Sequence, residues 1–217
     1  METHYDALDL LKGMIAIPSF SREEKEVADF LETRWKQAGH EVGRKGNNLW
    51  LTAPGFDPAK PTLLFNSHID TVKPAAGWTL DPFAPVTGEN EAIYGLGSND
   101  AGASVVSLYA AFCRLSEKKQ PYNLIFLASA EEEVSGKNGI ESVLPELPPV
   151  TFAIVGEPTG MQPAVAEKGL MVLDCVVKGS RLGLTIQTIL CVRSAQRYIS
   201  LKMVILQGLT IIVRWRN

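Results

Sequence analysis

His68 and Asp70 stand two residues apart at the end of the run TLLFNSHIDTV, residues 62–72. The run is short, largely apolar and opens directly after Pro61, which reads as a buried strand. Side chains alternate between the faces of a strand, so His68 and Asp70 share one face at its carboxyl end. That end is where open α/β sheets keep their chemistry. A neutral imidazole ligates a metal through one nitrogen and donates its other N–H to a carboxylate, which fixes the tautomer. In that reading His68 is a ligand and Asp70 orients it. The ordinary alternative is a His and an Asp facing water, and the remaining residues must decide between the two.

Other acidic residues fall at comparable positions. Asp100 lies between a glycine-rich loop containing Gly95 and Gly97 and a helix predicted over 101–115. It would sit at the positive end of that helix, where a carboxylate is favoured. Glu131, Glu132 and Glu133 follow a strand predicted over 122–130, and Glu157 follows one predicted over 150–155. Each of these alone reads as a solvated charge or a turn residue. Their repetition at successive strand ends is better explained by convergence, because a parallel sheet brings such ends to one edge.

Converging carboxylates repel one another unless a cation lies between them. One imidazole with several carboxylates suits zinc, manganese or cobalt better than calcium, which prefers oxygen alone. This many oxygens admit two ions about 3.5–4 Å apart, with a bridging carboxylate and a water made nucleophilic at neutral pH. A nearby carboxylate that is not a ligand would take the proton of that water.

The elements that must hold these residues are legible in outline. Apolar spacing predicts a helix over 5–15. Ser21, Arg22, Glu23 and Glu24 read as a capping box opening a second helix, with Val27, Phe30, Leu31 and Trp35 on one face and Gly39 as its stop. A strand is expected over 47–53 and a short helix over 136–144. The strand at 150–155 is expected to be buried. Residues 73–99 lack periodicity, and a loop that long in a compact domain is usually functional. Ala101, Gly102 and Ala103 let the first turn of the following helix approach another backbone closely. Strands alternating with helices imply an α/β fold, a mostly parallel mixed sheet covered by helices on both faces.

Composition narrows the possible partners. The chain has 217 residues, 46% of them apolar, and a formal charge of −3, which gives no reason to expect nucleic acid or an anionic membrane. No apolar stretch reaches the length of a bilayer span, and no signal peptide begins at the acidic amino terminus. Cys113, Cys175 and Cys191 are widely spaced and form no C-x-x-C pair, which argues against thiolate zinc and favours a reducing compartment. A cytoplasmic protein is expected.

Five ordered motifs carry a resemblance. They are SHIDTV at 67–72, Trp78 with Asp81, Pro82 and Phe83, YGLGSND at 94–100, Ala130 with Glu131 and Glu132, and VGEPT at 155–159. Together they resemble the di-zinc aminoacylase and carboxypeptidase family, which includes acetylornithine deacetylase, succinyl-diaminopimelate desuccinylase and glutamate carboxypeptidases. The likeness runs from about residue 5 to residue 179. It implies two Zn²⁺ ions, with Co²⁺ or Mn²⁺ as alternatives, bridged by Asp100. His68 and Glu157 would complete one site and Glu132 would serve the other. Glu131 would be the general base and Asp70 the carboxylate behind His68, when Ala130-Glu131-Glu132 is aligned with the family's Asp-Glu-Glu. Glu133 is then left without a role. Relatives often carry Asp-Met-Lys-Gly where this chain has Asp100, Ala101 and Gly102, a departure that touches only the start of the helix.

VGEPT followed by Gln162, Pro163 and by Glu167, Lys168 and Gly169 is most similar to the acetylornithine deacetylase branch, and so implies arginine biosynthesis. The reaction it implies is metal-dependent removal of a small acyl group from an N-acyl amino acid. A metallo-exopeptidase or dipeptidase of the same family and a non-catalytic truncated fragment are the alternatives. Full-length relatives are expected to be homodimers.

The resemblance assigns residues 1–166 to the first segment of the catalytic domain and 167–179 to the start of a ferredoxin-like lid. Beyond Gly179 the composition changes. Residues 180–217 contain no Asp, Glu, His, Pro or Phe, and all 24 acidic residues of the chain precede them. So abrupt a change reads as a shift of reading frame in the gene, which translation of the other two frames from codon 179 would reveal. Strands are the competing expectation, since 185–192 and 203–213 are rich in β-branched residues. The family's second metal site also takes a His from a distant carboxyl-terminal segment, whereas this chain's histidines are His4, His40 and His68. Weak or absent activity is expected.

Overall fold

The computed structural model of the chain describes residues 7–165 and the strands 171–179, 185–192 and 209–215. Helices α1 (Ala7–Ile15) and α2 (Lys25–Gln37) precede the strands β1 (Val42–Lys45), β2 (Asn48–Thr52) and β3 (Thr62–His68). Between β3 and β6 (Asn123–Ser129) lie a small ribbon, β4 (Val86–Thr87) with β5 (Ile93–Tyr94), and helix α3 (Ala103–Ser116). The short helix α4 (Ile140–Val143) leads to β7 (Phe152–Val155). The main sheet has the order β1-β2-β6-β3-β7. Its strands β6, β3 and β7 are mutually parallel, and β1 and β2 run antiparallel on one side.

Alternation along the central strands explains their unbroken apolar sequence. Phe65, Leu124 and Phe126 face one way and pack with Trp35, Tyr109 and Phe112 of α2 and α3. Leu64, Ile125 and Leu127 face the other way, against Val143 and Leu147. Both faces of β6 are thus buried, so its sequence carries no polar alternation. Among the described residues no helix is long and apolar enough to cross a membrane.

Three expectations are corrected. The capping box at 21–24 does not form: the residue before α2 is Glu24, and no side chain caps the helix. Arg22 turns the backbone at φ 76°, and the Ser21 hydroxyl instead donates to Asp70 Oδ2 at 2.7 Å. The helix expected from Ala101 begins at Ala103, because Asp100 and Ala101 depart from helical dihedrals within a wide turn at Ser98–Gly102. The Asp100–Ala101 peptide is cis. Gly102 does make the expected close approach, since a Cβ there would lie 2.6 Å from the Gly97 carbonyl oxygen. Lastly, β7 is not buried. Among the described residues it is an edge strand paired with β3 alone, and Phe152, Ile154 and Val155 are 65%, 50% and 57% exposed.

The chain divides into two units, Met1–Gly160 and Met161–Asn217. In the second, β8 (Met171–Gly179), β9 (Thr185–Val192) and β10 (Leu209–Trp215) form an antiparallel sheet of order β10-β8-β9. The first of these spans residues expected to form a strand, and the other two fall within the segment of altered composition. His4 and residues 166–170 lie outside the described residues.

Candidate metal centre

The parallel alignment of β3, β6 and β7 sets the site. His68 is the last residue of β3 and pairs with Ser129, the last of β6, while Asn66 pairs with Val155, the last of β7. The backbone N–H of Gly156 donates to the Asn66 carbonyl at 2.8 Å, extending that register to the residue before Glu157. The chain therefore leaves all three strands at one edge, and the acidic residues after β6 and β7 meet His68 there.

His68 Nε2 lies 3.0 Å from Asp100 Oδ1, 3.8 Å from Glu157 Oε2 and 3.9 Å from Glu132 Oε2. One ligand atom each from His68, Asp100 and Glu157 falls within 4.8 Å of the other two. These are the donors a single divalent cation needs, one imidazole nitrogen with carboxylate oxygens. The imidazole is buried, 1% exposed, whereas the carboxylates open to solvent at 53% for Asp100 and 34% for Glu157.

Behind His68, the Asp70 carboxylate is fully buried, with Oδ1 3.4 Å from His68 Nδ1. The Asp70 backbone carbonyl is nearer to Nδ1, at 2.9 Å. Ser21 Oγ and the backbone N–H groups of Glu132 and Glu133 donate to the carboxylate, the latter two at 3.0 and 3.1 Å. Asp70 thus orients the imidazole and also pins the turn that presents Glu132. Burial alone would raise its pKa, but His68, Ser21 and these amides hold it below the ordinary carboxylate value.

The charges in the site explain why a cation fits it. Burial alone would lower the pKa of His68, yet the Asp70 and Glu157 carboxylates override it and push the imidazole up to about 11. Asp100 is closer by distance, but Glu157 is the less exposed and its charge is less screened by water. Glu132 and Glu133 are both raised above the usual carboxylate range, first by burial and then by neighbouring carboxylates. The residues present fit a divalent cation, which would replace the His68 proton as their counter-charge.

A pH dependence follows. In the metal-free chain the folded His68 pKa lies above its unfolded value near 6.5. Its stabilising contribution is therefore fully present below about pH 6.5 and is lost as pH rises toward 11. Binding of a cation expels the same proton, so metal affinity is expected to rise over that window. Zinc titrations at pH 6 and pH 8 check this, and an affinity unchanged by pH would contradict it.

Glu131 is placed differently from its companions. It sits at φ 56°, is 6% exposed, and its carboxylate accepts from Asn138 Nδ2 at 2.9 Å and from the Asn138 backbone N–H at 3.3 Å. A Cβ on Gly136 would collide with that carboxylate. The carboxylate of the expected base is therefore taken up by Asn138 within a turn, and it is Glu132 whose carboxylate lies 3.9 Å from His68 Nε2. Ser21, Glu24 and Asn138 went unrecognised as supports of the site. Glu24 accepts from Asn47 Nδ2 and from the Glu131 backbone N–H, at 2.9 and 3.2 Å. No local spacing marks a residue whose partner lies 107 positions away. His40 is not at the site; it packs on Tyr109 and Phe112.

Comparison with known proteins agrees with this geometry. Residues 64–198 match the family described as peptidase family M20/M25/M40. The match passes Gly179, beyond which no likeness was expected. Among curated relatives, a succinyl-diaminopimelate desuccinylase of Dechloromonas aromatica is 30% identical over 206 residues, covering 89% of this chain and 51% of that protein. An acetylornithine deacetylase of Buchnera aphidicola is 28% identical over 178 residues, covering 75% and 45%. The chain spans about half the length of the curated relatives it matches. Among solved structures, an M20 family metallo-carboxypeptidase of Sulfolobus solfataricus superposes with a TM-score of 0.62 at 23% identity, over 80% of this chain and 43% of that one. The YXEP protein of Bacillus subtilis, a dinuclear metal-binding peptidase, superposes with a TM-score of 0.58 at 16% identity, over 80% and 50%. With His68, Asp100 and Glu157 brought together at the carboxyl edge of this sheet, the chain belongs to peptidase family M20/M25/M40.

Proposed function

We propose that this chain carries the first part of the catalytic domain of a metal-dependent amidohydrolase that removes a small acyl group from an N-acyl amino acid. The observation that carries this reading is the approach of His68, Asp100 and Glu157 within ligand reach of one point. Those three residues would hold one ion. A second would share Asp100 and take Glu133, whose carboxyl is raised, after burial, most by the charge of Asp100. When bound, such ions polarise a carbonyl and lower the pKa of a water.

Glu132 is the carboxylate best placed to take the proton of the attacking water and deliver it to the leaving nitrogen. It lies 3.9 Å from His68 Nε2, and a raised pKa suits a group that must both accept and return a proton near neutrality. This reading moves the alignment by one residue, so that Glu131-Glu132-Glu133 replaces the family's Asp-Glu-Glu. Glu131 then positions the turn, and Glu133 acquires a role. Zinc is the metal proposed, on the donor set.

Names of desuccinylases outnumber the deacetylase among the first matched relatives, so the acyl group is proposed only as small. Purified chain with added zinc is expected to hydrolyse N-acetylornithine and N-succinyl-diaminopimelate at least about a hundredfold more slowly than a full-length relative, because among the described residues His68 is the one imidazole at the site. Glu132→Gln should lower any residual rate by about 10²–10⁴-fold. Absence of any zinc-dependent hydrolysis of either substrate would refute the assignment, turnover equal to that of a full-length relative would contradict the expected impairment, and a loss confined to Glu131→Gln would refute the role of Glu132.

A further inference from the structure

The edge of the sheet opposite the metal centre holds a second concave site, a cavity of about 230 Å³ between the loop after β2, the end of α3 and the start of β6. Asn123 lines it and pairs with Thr62, the first residue of β3, whereas His68 is the last. The length of β3 therefore keeps the cavity about 20 Å from the metal centre. Lys60, Lys118 and Lys119 line the cavity against a single carboxylate, Glu117. No ion pair among the described residues joins any of the four. Phe56 and Tyr122 add aromatic walls, and Phe56 is 41% exposed. In a chain of net charge −3 this is a local reversal of sign.

The walls are fixed by bonds of their own. The buried Asn123 donates through Nδ2 to the Asp57 and Lys60 carbonyls at 2.9 and 3.2 Å, and its Oδ1 accepts from the Asp57 N–H at 2.9 Å. The loop that carries Phe56 and Lys60 is thus tied to β6. Lys60 Nζ donates to the Gln120 carbonyl at 3.1 Å, joining the same loop to the segment after α3. That bond uses one of three ammonium N–H groups and leaves two for another acceptor. Lysines past a helix end ordinarily serve its open carbonyls. Here other donors do so: Ser116 Oγ donates to the Phe112 carbonyl at 2.7 Å and Gln120 Nε2 to the Leu115 carbonyl at 2.9 Å. Among the described residues, the ammonium groups of Lys118 and Lys119 have no acceptor.

We propose that this cavity binds a small aromatic anion, one ring bearing a carboxylate or phosphate, with the ring against Phe56 and Tyr122 and the charge held by Lys60, Lys118 and Lys119. Its volume lies below the roughly 300 Å³ at which sites for drug-sized ligands begin. That suits a single ring better than a nucleotide or a peptide. The site shares no residue with the metal centre, so the proposal stands or falls apart from the hydrolase reading.

The test uses benzoate, its neutral isostere benzamide, phenyl phosphate and inorganic phosphate, each titrated into the full chain once with zinc and once with EDTA. Binding is followed by the NMR shifts of the Phe56 and Gln120 backbone amides. Benzoate or phenyl phosphate is expected to bind about tenfold more tightly than benzamide, through charge-assisted bonds to the lysines, and about tenfold more tightly than inorganic phosphate, through burial of the ring. Lys60→Gln and the double substitution Lys118→Gln/Lys119→Gln should each erase much of the preference over benzamide, and zinc binding should be unchanged in both. Shifts that persist in EDTA support the cavity, while shifts that vanish with the zinc place the anion on the metal and overturn the proposal. Equal binding of the charged and neutral rings, inorganic phosphate binding as tightly as either charged ring, no binding of any probe, or a preference that survives all three lysine substitutions together would also overturn it.

Discussion

Asp70→Ala is expected to destabilise the protein by about 3–5 kcal/mol, the range for removing one partner of a buried charge pair. The carboxylate is fully buried and receives a hydroxyl and two backbone N–H groups from segments 49, 62 and 63 residues away. Alanine leaves all three donors and the His68 imidazolium without their acceptor, and each stranded group carries its own desolvation cost. Asp70→Asn keeps the shape and an acceptor oxygen, so a smaller loss of about 1–3 kcal/mol is expected. Urea unfolding of both variants measures this. An Asp70→Ala protein as stable as the parent would mean that the network around Asp70 is not formed in solution.

Asp100→Ala is expected to act in the opposite way, sparing the fold and abolishing the metal centre. The carboxylate is 53% exposed and its contact with His68 Nε2 at 3.0 Å is screened by solvent, so metal-free stability should change by no more than about 1 kcal/mol. Zinc held near a hundred times its dissociation constant should stabilise the parent chain by about 2.7 kcal/mol. For a domain of this size that is a rise in Tm of about 5–11 °C. In Asp100→Ala the rise should vanish, with affinity reduced by more than about a hundredfold, since loss of a group behind a ligand alone costs about 10–100-fold. Thermal melts with and without zinc decide it. A shift that persists in both Asp100→Ala and His68→Ala would place the bound metal elsewhere.

The two substitutions separate support from ligation. Asp70 is buried because it organises three chain segments, and its chemistry is spent on holding His68 and the Glu132 turn. Asp100 is open because a ligand must be reached by the ion. The same division explains Glu131, buried against Asn138, and Glu132, 52% exposed beside His68.

Much of this was legible locally. The strand at Thr62–His68 follows from its apolar run. The convergence of His68, Asp100 and Glu157 follows from their positions after parallel strands or before a helix. The hairpin of β1 and β2 is legible only in its second strand, because β1 is polar and only partly buried. The misread capping box at Ser21 has a similar cause: its sequence fits a local cap, but a buried carboxylate 49 residues away is the better partner for its hydroxyl.

By itself, the amino-acid sequence determined which groups reach the edge of the sheet, because strand periodicity and the order of elements are local properties of the chain. Only the tertiary structure decided which of three consecutive glutamates faces the cluster. Glu131 takes a left-handed conformation held by Glu24 and Asn138, distant in sequence or across a turn, and Glu132 comes to lie beside His68. Burial of β7 was likewise undecidable from its composition, since an apolar strand is covered only if another element lies over it, and among the described strands β7 pairs with β3 alone.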